Sequence, residues 1–401
     1  MRFPGILLIT LFCCGAAGAP YTPKDDTRVL ERLPLKRGDP VAAELRALRQ
    51  AHTAAPGNAA AAVALARKYF DLASAEGDPR YIGYAEAALQ RWPDASAPAE
   101  VVLVRALLRQ YRHDFVPALA ELAQVLERDP ENTEAIGWRA ALFKVQAQYD
   151  QARAECARLE PVTTRLTLLA CLSSIDSVTG RSKAAYETLS GTLAREPTRN
   201  AGFRIWILTR LAEMAQRLGD AKLAEKHFRE ALDETQKLGT ADGFVLAALA
   251  DLLLDQGRND EVIVMLRDWT RSDVLLVRLA LAEVKAGTPT AKQRSQELAD
   301  RFAASALRGD RLHLQEESRF TLAVGRDAKK ALTVALDNWK TQREPRDARV
   351  LMEAALAAGE PRAAQGALDW MRTTGYEDPR YRELAARLER DAGARAQGAA
   401  P

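Results

Sequence analysis

Four histidines, four cysteines and scattered acidic pairs are the residues through which this 401-residue chain could do chemistry. His52, His113, His227 and His313 fall in different helical segments, and none has a Cys or a second His within a helical turn, so their spacing builds no metal site. They read as surface or packing residues. Cys13 and Cys14 lie in an apolar leader, which leaves Cys156 and Cys171, fifteen residues apart. These two are either small apolar residues on adjacent helices or the halves of a disulfide formed in an oxidising compartment. With no His pair nearby they do not spell a zinc site. Glu316-Glu317 could pair as acid and base, but on an exposed helix such a pair is a solvated face. No glycine-rich phosphate loop, no G-x-S-x-G elbow and no S-x-x-K motif occurs. The chain is expected to need no cofactor or metal and to be non-enzymatic.

The elements that would position any site repeat along the sequence. In Pro130 to Pro161 two apolar helical patterns meet at Tyr149-Asp150, with Ile136, Ala140 and Phe143 on one stripe and Ala152, Cys156 and Leu159 on the other. Ala140 and Ala152, twelve residues apart, are small enough to let two helix backbones close on each other. The pairing recurs as Ala73/Ala85, Ala106/Ala118, Ser173/Ala185, Ala212/Ala224 and, with a larger second member, Ala250/Val262. The second members step by 33, 34, 33, 39 and 38 residues, the signature of a solenoid of helix pairs. Gly180, Gly219, Gly257 and Gly359 each stand five residues before the second small residue of a pair, where a first helix must end. Pro130 and Pro197 close hairpins.

With Ala212, Gly219, Ala224, Phe228 and Ala231 the chain resembles the tetratricopeptide repeat family, whose motif has a small residue in each helix, a turn Gly, an aromatic in the second helix and a closing Pro. Copies here are degenerate: Pro161 is displaced, Val262 replaces a small residue, and most second helices carry Leu or Cys for the aromatic. The resemblance runs from about Asp39 to Tyr376. It implies an all-α, right-handed superhelical solenoid of antiparallel helix pairs whose first helices line a concave binding surface.

Residues 1–19 read as a secretory signal peptide, with Arg2 at its start, an apolar run from Ile6 to Cys14 and small residues ending in Ala17-Gly18-Ala19. The run is too short for a transmembrane anchor. Leu11-Phe12 before Cys13 does not suit a lipoprotein signal. The expected location is periplasmic or secreted. Residues 20–38 read as a flexible N-terminal arm, 39–392 as the repeat array with a less regular copy at about 272–310, and 393–401 as a disordered tail. The array should open on an isolated capping helix from Val41 to Thr53 and close on one from Asp378 to Asp391.

Lys and Arg number 57 against 54 acidic residues, and a net charge of +3 asks for neither nucleic acid nor an anionic membrane as partner. Residues off the packing stripes of the first helices are the candidate contacts: Tyr111, Trp138, Lys144, Trp206, Arg210, Glu213, Phe244 and Asp251. Trp206, Arg210 and Glu213, spaced by four and three, should form one patch, with Leu208, Leu211, Ala212 and Ala215 as the packing face behind them. The function this supports is an exported scaffold that binds a protein or peptide in its groove, with cell-envelope association. The alternative is a carbohydrate-binding or envelope-polymer assembly module, since Trp can stack on sugars.

Overall fold

The computed structural model describes Asp25, Thr27, Arg28 and residues 39–93 and 96–398. The stretch read as a signal peptide and most of that read as an arm therefore lie outside the described residues. Among those described every regular element is helical. A lone helix α1 (Pro40–Ala54) is followed by consecutive pairs: α2 (Ala59–Glu76) with α3 (Arg80–Leu89), α4 (Ala99–Tyr111) with α5 (Phe115–Arg128), and α6 (Thr133–Val145) with α7 (Tyr149–Ala157). Next come α8 (Arg165–Asp176) with α9 (Ser182–Arg195), α10 (Ala201–Arg217) with α11 (Ala221–Lys237), and α12 (Gly243–Asp255) with α13 (Asn259–Leu266). The last pairs are α14 (Asp273–Ala286) with α15 (Ala291–Leu307), α16 (Leu314–Ala323) with α17 (Ala328–Trp339), and α18 (Pro345–Ala358) with a 3₁₀ turn (Pro361–Ala364) leading into α19 (Gln365–Thr374). The closing helix α20 (Pro379–Gly398) runs on through residues whose composition reads as a disordered tail.

The small residues that mark the period sit where the helices of each pair cross. Ala73, Ala85, Ala106, Ala118, Ala152, Ala212, Ala224, Ala250 and Val262 are wholly buried, and Ala140, Ser173 and Ala185 nearly so. A methyl or hydroxymethyl group at the crossing lets the backbones approach, and the flanking Leu, Ile and Val side chains then interdigitate. Short polar residues start many of the helices: Asp39, Asn58, Asn132, Asn200, Asp242 and Ser272 each accept from a backbone N–H of the first turn. The turn glycines 180, 219, 257 and 359 all take the left-handed conformation that lets a first helix end and the chain reverse.

The array curls until distant repeats meet. Gly77 shows why the sequence must cooperate. It caps α2 at φ 65°, and a Cβ there would overlap the side chain of Ser272, which begins α14. Beside it α12 packs against α2, with Gly243 close to the carbonyls of Ser74 and Ala75. At the other end the connection between α17 and α18 reaches the first half of the chain. Arg343 N–H donates to Val145 O at 2.8 Å, Lys144 Nζ pairs with Glu344 at 2.9 Å, and Gln342 Nε2 meets His113 Nδ1 at 3.0 Å. Ser182 N–H donates to Glu377 at 2.9 Å and Trp370 Nε1 to Tyr149 Oη at 2.8 Å. The C-terminal apolar core accordingly takes in Val178, with Ala147 and Tyr149 packed against it.

The copy at about 272–310 is lopsided. Helix α14 is buried along most of its length, including Arg278 at 0% exposure, whereas α15 buries only Leu298 and Phe302. Cys156 and Cys171 are joined in a disulfide that ties α7 to α8, with their Cα atoms 5.7 Å apart. Of the two readings the spacing left open, the structure takes the bonded one.

Candidate functional site

The eight residues singled out on the first helices separate into two groups. Tyr111 at the end of α4 and Trp138 on α6 both set their rings edge-on to Phe70 of α2, at 6.4 and 6.3 Å between centroids. Both rings are thus part of the packing between consecutive repeats. Burial pushes the Tyr111 hydroxyl up to about 12. The other six, Lys144, Trp206, Arg210, Glu213, Phe244 and Asp251, converge on the inner face, because α6, α10 and α12 are each the first helix of a pair.

What sequence spacing did not reveal is that the chain's own C-terminal helices lie against them. Glu344 and Arg346 at the start of α18 project among these residues: Glu344 takes Lys144, and Arg346 reaches Glu213 at 3.1 Å. Glu213 also pairs with Arg210 at 2.9 Å and lies 3.8 Å from Arg217. Burial alone would raise the Glu213 pKa, but the surrounding cations, Arg210, Arg217 and Arg346 foremost, outweigh it and hold the carboxyl at about 2. Asp251 is bound from two sides, by Arg278 at 2.8 Å and Arg319 at 2.8 Å, and these cations overcome burial to keep it far below the usual carboxylate range. The inner face is therefore narrowed to a cavity of about 90 Å³ with Lys144, Arg210, Arg217, Arg346 and Glu213 among its lining residues.

At the mouth of this cavity two large aromatics remain open to solvent: Trp206 is 38% and Phe244 40% exposed. Arg210 lies over both rings, 5.6 Å from the centroid of Trp206 and 4.8 Å from that of Phe244, and Arg346 lies 4.3 Å from Phe244 on α12. Phe203 stacks on Trp206 at 6.1 Å and fixes the indole from one side. The stripe behind is core, with Leu208, Leu211, Ala212 and Ala215 all buried. Two buried donors in this wall, Nε of Arg210 and Nε of Arg217, have no acceptor among the described residues. The cluster has the composition of a recognition patch: rigid aromatics, guanidinium groups held in place, and N–H groups in need of an acceptor.

No family model matches the chain, and no curated protein matches it. Solved structures do. The chain superposes on one in the APC/C hetero-tetramer Cut9-Hcn1 with a TM-score of 0.51 at 13% identity, covering 87% of this chain and 66% of that one, just under two thirds of its length. The fold is a tetratricopeptide-like solenoid. A tetratricopeptide repeat protein from Parabacteroides merdae aligns over 73% of this chain and 98% of its own at 14% identity and a TM-score of 0.27. A Rap protein complexed with competence and sporulation factor aligns over 84% and 98% at 12% identity and a TM-score of 0.48.

Outside the inner face the tetratricopeptide-like array ties its charged groups into ion-pair networks, such as Glu225 and Glu261 with Arg229 and Arg258. Among the described residues no three His, Cys, Asp or Glu side chains gather in a way that could hold a metal ion. His227 lies 3.0 Å from Tyr186 Oη and 3.4 Å from Glu230, and His113 meets Gln342. No described helix is long and apolar enough to cross a membrane. The site residues that sequence reasoning missed are those of the last repeats, Arg278, Arg319, Glu344 and Arg346. Glu344-Pro345-Arg346-Asp347 does carry a helix-start signal, and Asp347 closes a capping box at 2.9 Å to the Glu344 N–H. That signal says where α18 begins and nothing of what it lies against.

Proposed function

We propose that this protein is an exported, non-enzymatic scaffold that binds a protein or peptide at the aromatic mouth of its inner face. The observation that carries the reading is the pair of exposed rings, Trp206 and Phe244, held beside Arg210 and Arg346. Large aromatics and Arg are the side chains that dominate binding energy at protein interfaces, and neither ring is needed to fill the core. The solenoid of helix pairs, typical of chains that assemble with other proteins, supports the same reading. With the C-terminal helices filling much of the inner face, the partner inserts a short segment at the mouth and does not thread the whole groove. The unpartnered Nε–H groups of Arg210 and Arg217 favour a segment that brings an acceptor, such as a carboxylate or a main-chain carbonyl.

The test is affinity capture from envelope extract with immobilised wild type and with the Trp206→Ala/Phe244→Ala variant. Defined protein partners should be retained by the wild type and weakened by about 2 kcal/mol or more in the variant, with the melting temperature little changed. Equal retention by both would remove the mouth from the reading, and retention only on cell-wall or exopolysaccharide fractions would replace it by a polymer-binding one. Export carries its own check: mass spectrometry of protein made in a bacterial host should find an N-terminus between Gly18 and Tyr21, and a chain still beginning at Met1 would exclude an exported role.

A further inference from the structure

Away from the inner mouth, closure of the array creates a second cleft whose walls come from opposite ends of the chain. The α6–α7 turn and the start of α7 supply Gln148, Tyr149, Asp150 and Gln151, while α17, the α17–α18 connection and α19 supply Trp339, Arg343, Asp369 and Trp370. Its volume of about 870 Å³ lies within the range of sites that take small ligands. The aromatic wall is fixed. Trp370 is buried, donates its indole N–H to Tyr149 Oη, and stands edge-on to the half-buried Trp339 at 6.2 Å. Gly366 leaves room for Trp339 where it lies, because a Cβ there would stand 3.0 Å from Trp339 Nε1 and push the indole aside.

Several donors on this wall have no acceptor among the described residues and are left for solvent or a ligand. Among the described residues the indole N–H of Trp339 meets no acceptor, and Tyr149 Oη accepts from Trp370 while its own proton finds none. Arg343 uses its Nε on the carbonyl of Trp339 at 3.3 Å, and its two Nη groups have no carboxylate within ion-pair distance among the described residues. The arginines farther along the cleft differ, since Arg153 and Arg181 are both engaged by Asp176.

We propose that this cleft binds a short stretch of an acidic saccharide. An indole face flanked by amides, carboxylate and hydroxyls is the surface on which a sugar ring packs its C–H face while its hydroxyls are held at the edge. The two Nη groups of Arg343 add a forked donor for a sugar carboxylate. A peptide is the poorer fit: the described walls are helices and turns with no strand among them, so they present no unpaired strand edge to hold an extended main chain. The site stands independently of the inner mouth.

The experiment is calorimetric titration of the full chain with a short oligogalacturonate, a neutral cello-oligosaccharide and a polyglutamate peptide, repeated on Arg343→Ala, Trp339→Phe and Trp206→Ala/Phe244→Ala. Oligogalacturonate should bind the wild type, and Arg343→Ala, an exposed rim position that should leave folding intact, should weaken it roughly tenfold or more while changing the neutral sugar little. Trp339→Phe should weaken both sugars, and the Trp206→Ala/Phe244→Ala variant should bind as the wild type does. The assignment is overturned if neither sugar saturates the wild type, if Arg343→Ala and Trp339→Phe bind oligogalacturonate unchanged, or if the Trp206/Phe244 variant loses it. Polyglutamate binding as tightly through the same two residues would make the cleft a peptide site instead.

Discussion

Replacing Asp251 by Asn should cost about as much stability as opening a hole in the core, although Asp251 sits on the inner face among candidate binding residues. Arg278 is wholly buried, and its guanidinium donates to Ala247 O at 3.2 Å, Val274 O at 2.7 Å, Glu316 at 3.4 Å and Asp251 at 2.8 Å. Asp251 accepts from Arg319 as well, at 2.8 Å. The amide keeps the shape and one acceptor oxygen but removes the charge, so Arg319 loses its carboxylate and Arg278 keeps, besides its two carbonyl acceptors, only the longer contact to Glu316. Removing one partner of a buried ion pair typically costs 3 to 5 kcal/mol, and because the Asp251 side chain keeps 18% exposure the expected loss is near ~3 kcal/mol. Asp369→Asn, which breaks an exposed pair with Arg372, is the control and should cost at most ~1 kcal/mol. The assay is urea unfolding followed by circular dichroism, run from pH 3 to 8. A carboxyl whose folded pKa lies below its unfolded value of about 3.9 contributes stability that is complete above that value and lost as pH falls through the folded pKa. The penalty of Asp251→Asn should therefore be constant at neutral pH and shrink below about pH 4. A variant as stable as the control at pH 7 would refute the argument and return Asp251 to the status of a free groove residue.

Three further outcomes are expected. Leu211→Ala should lower stability by ~2 to 5 kcal/mol and Trp206→Ala by much less, because Leu211 is 1% and Trp206 38% exposed; equal losses in denaturant titrations would make the tryptophan core. Burial, with His313 nearby, pushes His113 down to about 4, so the unfolded chain takes up its proton first and stability should fall as pH drops from about 6.5 towards 4. His113→Asn, which tolerates the left-handed backbone at this position, should flatten that slope in pH-dependent unfolding, and an unchanged slope would assign it to another group. Reducing the Cys156–Cys171 bond, which closes a loop of 15 residues, should lower stability by about 3 kcal/mol in unfolding run with and without reductant, and identical curves would show that the bond does not constrain the unfolded chain.

The period was legible because its cause is local. Two helices joined by a short turn can approach only where both carry a small residue, so Ala73/Ala85 through Ala250/Val262 had to recur at near-constant spacing, and the turn glycines had to precede them. Along one helix the same locality holds. The packing stripe of α10 follows from a period of 3.6, and Leu208, Leu211, Ala212 and Ala215 are buried along it, with Trp206, Arg210 and Glu213 grouped on another side.

What covers a patch is decided elsewhere in the chain. The sequence by itself determined an all-α array of helix pairs and the small residues at their crossings, but not which residues of the first helices stay open, since Tyr111 and Trp138 pack against Phe70. Only the tertiary structure decided that Glu344 and Arg346 would reach Lys144 and Glu213, that Asp251 would neutralise a buried Arg278, and that Tyr149 and Trp339 would share a cleft. The small turn and tilt between neighbouring repeats accumulates over many copies, and whether the last repeats meet the first depends on the sum of those angles. No single repeat encodes that sum, so residues some two hundred positions apart, such as Lys144 and Glu344, meet without any signal in the spacing of either.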